Sequence, residues 1–283
     1  MEAERQVLGR GMRSEIIAWG DGKVLKLYHE GWSAESVAGE AAATRRVAEL
    51  GVPAPQVFET VTIDGRHGIV MERLDGPSMD SLFYQKPLSA PRTVVQLSEL
   101  QARMHRIDVS AEANPLIEQL RRKINGRRSP LAPELKAAAV SAMERMPLGK
   151  SLCHGDLHPQ NVVWSDSRGP VVIDWDSPTY GNPLADVART YLILSAGHRH
   201  VPARVRPMIG LVSRFICRNY LRAYRTLAAD LIEGAGDLNT WLWINAAARL
   251  VEGIAVEEQW LTEIVRRGAE HAVVQARGQG PVQ

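Results

Sequence analysis

The stretch that decides the fold of this chain reads His154-Gly155-Asp156-Leu157-His158-Pro159-Gln160-Asn161, and Val172-Ile173-Asp174-Trp175-Asp176 follows it. Asp156 offers a carboxylate that can orient a hydroxyl group and accept its proton. Asn161 offers a neutral oxygen and Asp174 an anionic one, and both are ligands that Mg²⁺ accepts. A base with two magnesium ligands is what phosphoryl transfer from a nucleotide requires. The spacing therefore predicts a small-molecule kinase.

The residues around these acids predict a strand, a loop and a hairpin. Leu152-Cys153 forms a short apolar strand before the loop, and Asn161-Val162-Val163-Trp164 begins the next strand. The turn Asp166-Ser167-Arg168-Gly169 leads into Pro170-Val171-Val172-Ile173. The hairpin would bring Asp174 close to Asn161.

These motifs, together with Gly181-Asn182-Pro183 and Asp186, resemble those of the aminoglycoside phosphotransferase and choline kinase family. The resemblance implies an α+β, bilobed, protein-kinase-like fold. It has a small N-terminal antiparallel sheet with one helix and a larger, mostly helical C-terminal lobe. We expect residues 1–73 to form a nucleotide-binding lobe and 74–283 a catalytic and acceptor-binding lobe, with a hinge at about 72–76.

The same resemblance implies roles for individual residues. Asp156 would be the catalytic base, and Asn161 and Asp174 the magnesium ligands. Asp186 would be a buried acid that braces the backbone of the catalytic loop, and His154 a scaffold residue. Only eleven residues separate Asp174 from Asp186. That is too short for a long peptide-docking segment, so a small acceptor is expected.

The N-terminal third supplies the parts that bind a nucleotide. Gly9 and Gly11 begin a segment that turns at Gly20-Asp21-Gly22 and returns as Lys23-Val24-Leu25-Lys26-Leu27-Tyr28, which predicts two strands with a phosphate-covering loop. Lys26 points away from the face that holds its two leucine neighbours and could reach the α- and β-phosphates. Lys23 is the alternative.

A helix and a last strand follow. Ser33 caps a predicted helix that reaches Leu50 and stops at Gly51, and Glu40 lies in its middle. By resemblance, Glu40 would pair with Lys26. Gly68-Ile69-Val70-Met71-Glu72 reads as a strand, and backbone groups of Met71, Glu72 and Arg73 are candidates for hydrogen bonds to a purine.

The C-terminal part is predicted to be helical and to bind the acceptor. One helix starts at Asn182-Pro183 and extends to about Ala196, a second extends from Arg206 to Ile232, and a third from Asp237 or Asn239 to Arg267. Aromatic and acidic side chains of the last helix have the chemistry to bind a polar substrate, but helical spacing favours core and solvent roles for them. Asp176 could either belong to the site or serve as a turn residue, and the sequence leaves both possibilities open.

Composition narrows the class of protein. The chain has 283 residues, a formal net charge of +2 and only two cysteines, Cys153 and Cys217. This charge argues against a nucleic-acid partner, and the cysteines suggest buried thiols. The charged start and the lack of a long apolar run argue against a secretion signal and a membrane span, so we expect a cytoplasmic protein. The oligomeric state is not readable.

The expected reaction moves a phosphate from ATP or GTP, with Mg²⁺, to a hydroxyl group of a small molecule. An aminoglycoside or another antibiotic is one acceptor class, which would make the protein a resistance enzyme. A metabolic acceptor of the choline, thiamine, homoserine or sugar type is the alternative, because the shared motifs report on donor chemistry. A catalytically silent nucleotide-binding protein of the same fold is the third reading.

Overall fold

The computed structural model describes residues 6–85, 89–110, 114–176 and 179–278. These residues divide into two units. The sheet unit contains the described residues 6–85 and 159–176, and the helical unit contains 89–110, 114–158 and 179–278. Each unit thus combines segments that are remote in sequence, and the expected hinge at 72–76 lies inside the sheet unit.

The described residues form ten strands and ten α-helices. The strands are β1 Val7–Arg10, β2 Ser14–Ala18, β3 Lys23–Tyr28, β4 Val57–Ile63, β5 Arg66–Glu72, β6 Asn114–Pro115, β7 Ser151–Cys153, β8 Val162–Ser165, β9 Gly169–Val172 and β10 Thr179–Gly181. The helices are α1 Ala34–Glu49, α2 Met79–Gln85, α3 Ala90–His105, α4 Leu116–Ile124, α5 Pro133–Glu144, α6 Pro183–Ala196, α7 Arg206–Leu227, α8 Ala229–Ile232, α9 Leu238–Arg249 and α10 Ala255–Gly278.

The sheet unit is built on a five-stranded antiparallel sheet in the order β1-β2-β3-β5-β4. Asp64 and Gly65 both have positive φ and join β4 to β5 through a tight turn, as two-residue hairpins require. One face of the sheet packs on α1, where Val37 and Ala41 meet Ile69. The predicted cap at Ser33 is confirmed, since its side chain accepts from the Ser36 N–H.

The hairpin of β8 and β9 belongs to the sheet unit and is bonded to it by backbone groups. The Trp164 N–H donates to the Pro77 carbonyl at 2.8 Å, and the Val172 N–H donates to the Pro53 carbonyl at 2.7 Å. Gly76 passes so close to this hairpin that a Cβ there would lie 1.4 Å from the Trp164 oxygen. The predicted hairpin is therefore confirmed, and only glycine fits at position 76.

The helical unit holds the helices α3 to α10 and a three-stranded sheet in the order β6-β10-β7, whereas α2 belongs to the sheet unit. Two predicted helices were too long. The last one is broken at Gly253, whose φ of 69° ends a 3₁₀ turn between α9 and α10. The preceding one is interrupted at Ala228, where φ is −126° and ψ is 30°.

Helices and sheet together confirm the α+β class, with the antiparallel sheet and α1 in one unit and most helices in the other. None of the helices within the described residues has both the length and the apolar character needed to span a membrane.

Candidate active site

Lys26 in β3 connects two carboxylates that are far apart in sequence. Its Nζ donates to Oε1 of Glu40 on α1 and to Oδ1 of Asp174 after β9, each at 2.6 Å. The Lys26 and Glu40 side chains are 12% and 6% exposed, and that of Asp174 is 37% exposed. Burial acts to lower the pKa of Lys26, but the two carboxylates outweigh it and raise that pKa. The expected pair of Lys26 with Glu40 is confirmed.

Three carboxylates lie close together, and two of them are bonded to Lys26. Oxygen atoms of Glu40, Asp174 and Asp176 lie within 4.8 Å of one another. Arg13 pairs with Asp176, and the Tyr28 hydroxyl donates to Oε2 of Glu40. Burial raises the pKa of Glu40 to about 7, although Lys26 acts in the opposite direction. Asp176, left open by the sequence, thus lies within this acidic cluster.

The hairpin brings the two expected magnesium ligands, Asn161 and Asp174, into one short structure. The Ile173 N–H donates to the Asn161 carbonyl oxygen at 2.9 Å, next to Asp174. Asp174 has a φ of 67°, an uncommon conformation for a residue other than glycine. An amide oxygen, carboxylate oxygens and no sulfur form a donor set of the hard type that suits Mg²⁺. The residues present therefore fit this ion.

The other expected nucleotide-binding residues lie along the sheet. Gly9 is in β1, and Gly11 begins the turn to β2, where its N–H donates to the Ser14 carbonyl at 2.8 Å. Met71 and Glu72 end β5. The N–H groups of Glu72 and Arg73 donate to the carbonyls of Gln56 and Gly22. Purine recognition through these two N–H groups would require them to exchange partners.

Asp156 lies in the loop after β7, in the helical unit, and its carboxylate lies beside Arg189 and His158. Arg189 on α6 donates to Oδ1 from Nε at 3.2 Å and from a terminal nitrogen at 2.7 Å. His158 Nε2 lies 3.7 Å from Oδ2. Burial acts to raise the pKa of Asp156, but His158 and Arg189 hold it well below its ordinary value. Because its side chain is 43% exposed, an ionised Asp156 remains accessible to a ligand.

Asp186 braces the loop that carries Asp156, as the resemblance implied. Its Oδ1 accepts from the Gly155 N–H at 2.7 Å and its Oδ2 from the His154 N–H at 3.4 Å. His154 Nδ1 in turn accepts from the Asp156 N–H at 3.2 Å. Gly155 has a φ of 77°, which favours glycine. The loop is thus fixed by a buried acid and by its own histidine.

Sequence reasoning missed several residues that hold this site. His105 lies with its Nε2 3.1 Å from Oδ2 of Asp186, and Gln101 donates to the same oxygen at 2.9 Å. Arg189 was also missed. It follows Asp186 by three residues on α6, and residues three apart share a helix face, so this spacing was the available signal.

Arg189 begins a line of alternating charges that extends away from Asp156. Arg189 contacts Glu252 at 2.7 Å, and Glu252 contacts Arg249 at 3.1 Å. Arg249 donates to both oxygens of Glu257, at 2.5 and 2.9 Å, and His200 Nε2 lies 2.7 Å from Glu257. We call these residues with Asp156 and His158 the Asp156 network. Its members belong to the helical unit and anchor α6, α9 and α10 to one another.

Solved structures with a similar fold include aminoglycoside phosphotransferases and a glucosamine kinase. An aminoglycoside-3'-phosphotransferase of type VIII has a TM-score of 0.63 and 21% identity, over 88% of this chain and 92% of its own. A thermostable mutant of aminoglycoside phosphotransferase APH(4)-Ia, in ternary complex with AMP-PNP and hygromycin B, has a TM-score of 0.63 and 17% identity. The match covers 95% of this chain and 94% of that structure. A glucosamine kinase in complex with glucosamine, ADP and inorganic phosphate has a TM-score of 0.52 and 16% identity. The match covers 92% of this chain and 74% of that structure. The expected protein-kinase-like fold is confirmed.

Sequence comparison agrees with the fold. Acyl-CoA dehydrogenase family member 10 of Mus musculus is 27% identical over 183 residues, which are 56% of this chain and 17% of that relative. The chain thus spans about a sixth of the length of the relative. The family model described as "Phosphotransferase enzyme family" matches residues 11–229, most of the chain. This match shows that the chain belongs to the phosphotransferase enzyme family.

Proposed function

We propose that the protein transfers the γ-phosphate of ATP or GTP to a hydroxyl group of a small molecule. The contacts of Lys26 with Glu40 and Asp174 carry the proposal. In kinases of this type, a strand lysine paired with a helix glutamate and an aspartate for the metal must be in place before transfer. Residues 1–73 would serve as the nucleotide-binding lobe and 74–283 as the catalytic and acceptor-binding lobe.

The candidate residues of the sheet unit would then bind the nucleotide that donates the phosphate. Lys26, held by Glu40, contacts the α- and β-phosphates, and the loop with Gly9 and Gly11 covers them. The end of β5, at Met71 to Arg73, contacts the base. Asn161 and Asp174 would hold Mg²⁺, which when bound neutralises charge on the phosphate oxygens.

Asp156 acts on the acceptor. The acceptor oxygen forms a bond to the γ-phosphorus, the bond from that phosphorus to the leaving oxygen of the nucleoside diphosphate breaks, and the hydroxyl proton passes to Asp156 and then to solvent. Because Arg189 and His158 hold the pKa of Asp156 low, this carboxylate is a weak base. Its main contribution would be to orient the hydroxyl group, with the proton leaving late.

The acceptor is proposed as a class. The similar structures named above contain hygromycin B and glucosamine, so an aminoglycoside or another hydroxylated antibiotic is the first candidate, with a role in resistance. A metabolic alcohol of the sugar, choline, thiamine or homoserine type is the second, and the basic pI of about 8.6 favours it over a polycationic drug. We propose a cytoplasmic site of action, where nucleoside triphosphates are available.

Replacing Asp156 by Asn tests the proposal. We expect turnover to fall by about two to four powers of ten, because the carboxylate that orients the hydroxyl group and accepts its proton is lost, while nucleotide affinity is kept. Release of nucleoside diphosphate would be measured with Mg²⁺ over a panel of aminoglycosides and metabolic alcohols. Asp166→Asn, in the exposed turn between β8 and β9, is the matched control and should retain full turnover.

Two outcomes would contradict the proposal. Turnover of Asp156→Asn equal to that of Asp166→Asn would remove Asp156 from the chemistry. Binding of nucleotide with Mg²⁺ and no transfer to any panel member would favour a catalytically silent protein.

A further inference from the structure

A groove of about 1120 Å³ lies in the helical unit, at a place that the Asp156 network does not use. Its walls are the C-terminal part of α6, the first half of α7, the start of α9 and the middle of α10. None of the residues of the Asp156 network lines it. Its volume is slightly above the usual range of about 300–1,000 Å³ for small-molecule sites.

The groove is lined by an excess of positive charge. The basic residues that line it are His198, Arg199, Arg206, Arg214, Arg267 and His271. Asp237 is the acidic residue among the lining residues, and its Oδ2 is occupied as the cap of α9, accepting from the Thr240 N–H at 2.9 Å and the Thr240 hydroxyl at 3.0 Å. Glu263 partly neutralises Arg267, to which it is bonded at 2.6 Å. The lining residues therefore include more arginines than acidic residues.

Arg199 shows that this charge is not fully compensated. Its guanidinium carbon lies 4.5 Å from the centre of the Trp260 ring, and its buried Nε has no hydrogen-bond partner among the described residues. Burial and the nearby Arg206 lower the pKa of Arg199, while Glu257 acts in the opposite direction. Because buried N–H groups normally have an acceptor, an oxyanion in the groove would complete this arrangement.

The groove also offers apolar surface. Trp243 is buried and Leu211 on α7 is 65% exposed, and both line the groove with Trp260 and Ile264. Arginines beside aromatic and aliphatic side chains suit a ligand with one anionic end and one apolar end. A simple inorganic anion would leave this apolar surface unused.

We propose that this groove binds a small amphiphilic anion, whose carboxylate or phosphate group contacts Arg199, Arg206 and Arg214 while its apolar part packs on Trp243 and Leu211. The site is separate from the Asp156 network and does not depend on the proposed phosphotransfer. Its occupant would be a ligand additional to the nucleotide.

A pair of related fluorescent probes tests the site on the full chain without nucleotide. Anilinonaphthalene sulfonate carries an aromatic body and an anionic group, whereas N-phenylnaphthylamine has a similar body without charge. We expect saturable binding of the anionic probe, with Arg214→Gln raising its Kd about tenfold, the loss expected for one charge-assisted hydrogen bond. Arg218→Gln, one turn further along α7, exposed and outside the groove, should leave the Kd unchanged.

Competition identifies the chemistry of the natural ligand. Octanoate and octyl phosphate should displace the anionic probe, and the stronger competitor indicates a carboxylate or a phosphate ligand, while octanol should not displace it. Equal Kd values for Arg214→Gln and Arg218→Gln, or equal displacement by octanol, would overturn the proposal. Because Arg214 is exposed, its variant should fold, and its Tm checks this. Asp156→Asn should bind the probe normally, so failure of phosphotransfer and failure of this site are separable.

Discussion

At the scale of single residues, Lys26 is a cation of the sheet unit that holds two carboxylates. It is nearly buried and bonded to two carboxylates, one of which, on Glu40, is itself buried. Removing one partner of a buried ion pair is costly because the remaining charge stays buried without compensation. Loss of Lys26 should therefore destabilise the protein and change the pKa of the carboxylates that it holds.

We expect Lys26→Met to lower the free energy of unfolding by about 3–5 kcal/mol at pH 8. Lys26 lowers the pKa of Glu40, which is about 7 in the intact protein, so its loss should raise that pKa further. A protonated Glu40 carries no charge, and the stability difference between variant and wild type should shrink as the pH falls from 8 to 6. Urea unfolding at both pH values measures this difference.

Lys23→Met is the matched control. Lys23 lies in the same strand, and its ammonium is 4.5 Å from the centre of the Phe58 ring. A cation–π contact of this kind contributes about 0.5–1 kcal/mol at an exposed site. Two results would contradict the argument. One is a loss of unfolding free energy in Lys23→Met as large as that in Lys26→Met. The other is a loss in Lys26→Met that does not change with pH.

At the scale of helices and strands, two helical glycines are predicted to respond in opposite directions to the same substitution. A Cβ on Gly268 in α10 would lie 2.2 Å from the Trp243 ring of α9, whereas a Cβ on Gly39 in α1 would meet nothing within 4 Å. Overpacking costs about 1–3 kcal/mol, so Gly268→Ala should destabilise the protein by that amount. Gly39→Ala should stabilise it by about 0.5–1 kcal/mol, since alanine favours a helix.

Thermal and urea unfolding of both variants measure these two effects. Stabilisation by Gly268→Ala would mean that α9 and α10 pack less closely than described. Destabilisation by Gly39→Ala would mean that the exposed face of α1 has another role.

The boundaries of the elements show which parts local rules predict. The hairpin with Asn161 and the start of α1 at Ser33 follow from turn and capping residues within a few positions. The break between α9 and α10 at Gly253 was missed, because one glycine in a helical pattern is compatible with either a helix or a stop. Packing of the two helices on each other decides between them.

At the scale of the whole molecule, stability in acid should depend on the buried carboxylates of the helical unit. Burial acts to raise the pKa of Glu257, but Arg249 and His200 outweigh it and lower that pKa from its ordinary 4.5. A lowered pKa means that Glu257 contributes stability above pH 4.5, and that this contribution is lost as the pH falls through the folded-state value. Asp186, whose pKa is also lowered despite burial, has the same sign.

We expect Glu257→Gln to cost about 3–5 kcal/mol at pH 7, because Arg249 loses its buried partner. The cost relative to wild type should shrink as the pH falls from 5 toward 3. Glu263→Gln, on the same helix with exposed partners, should leave the stability nearly unchanged at any pH, because solvent screens exposed ion pairs. Unfolding by urea at several pH values measures both, and an equal loss in the two variants would show that the buried ion pair of Glu257 with Arg249 contributes no more than an exposed one.

The sequence alone indicated the phosphotransferase class of this protein and determined the structure of its short motifs. Asp156, Asn161, Asp174 and Lys26 were predicted as site residues because their types and spacing within strand and loop patterns are typical of phosphoryl transfer, and local patterns depend on few neighbours. Only the tertiary structure decided which distant charges meet. The bonds of Lys26 to Asp174 and of Arg189 to Asp156 and Glu252, and the cationic groove, depend on how strands and helices pack within each unit. Periodicity shows which face of a helix is buried, and it carries no information on which residue lies opposite.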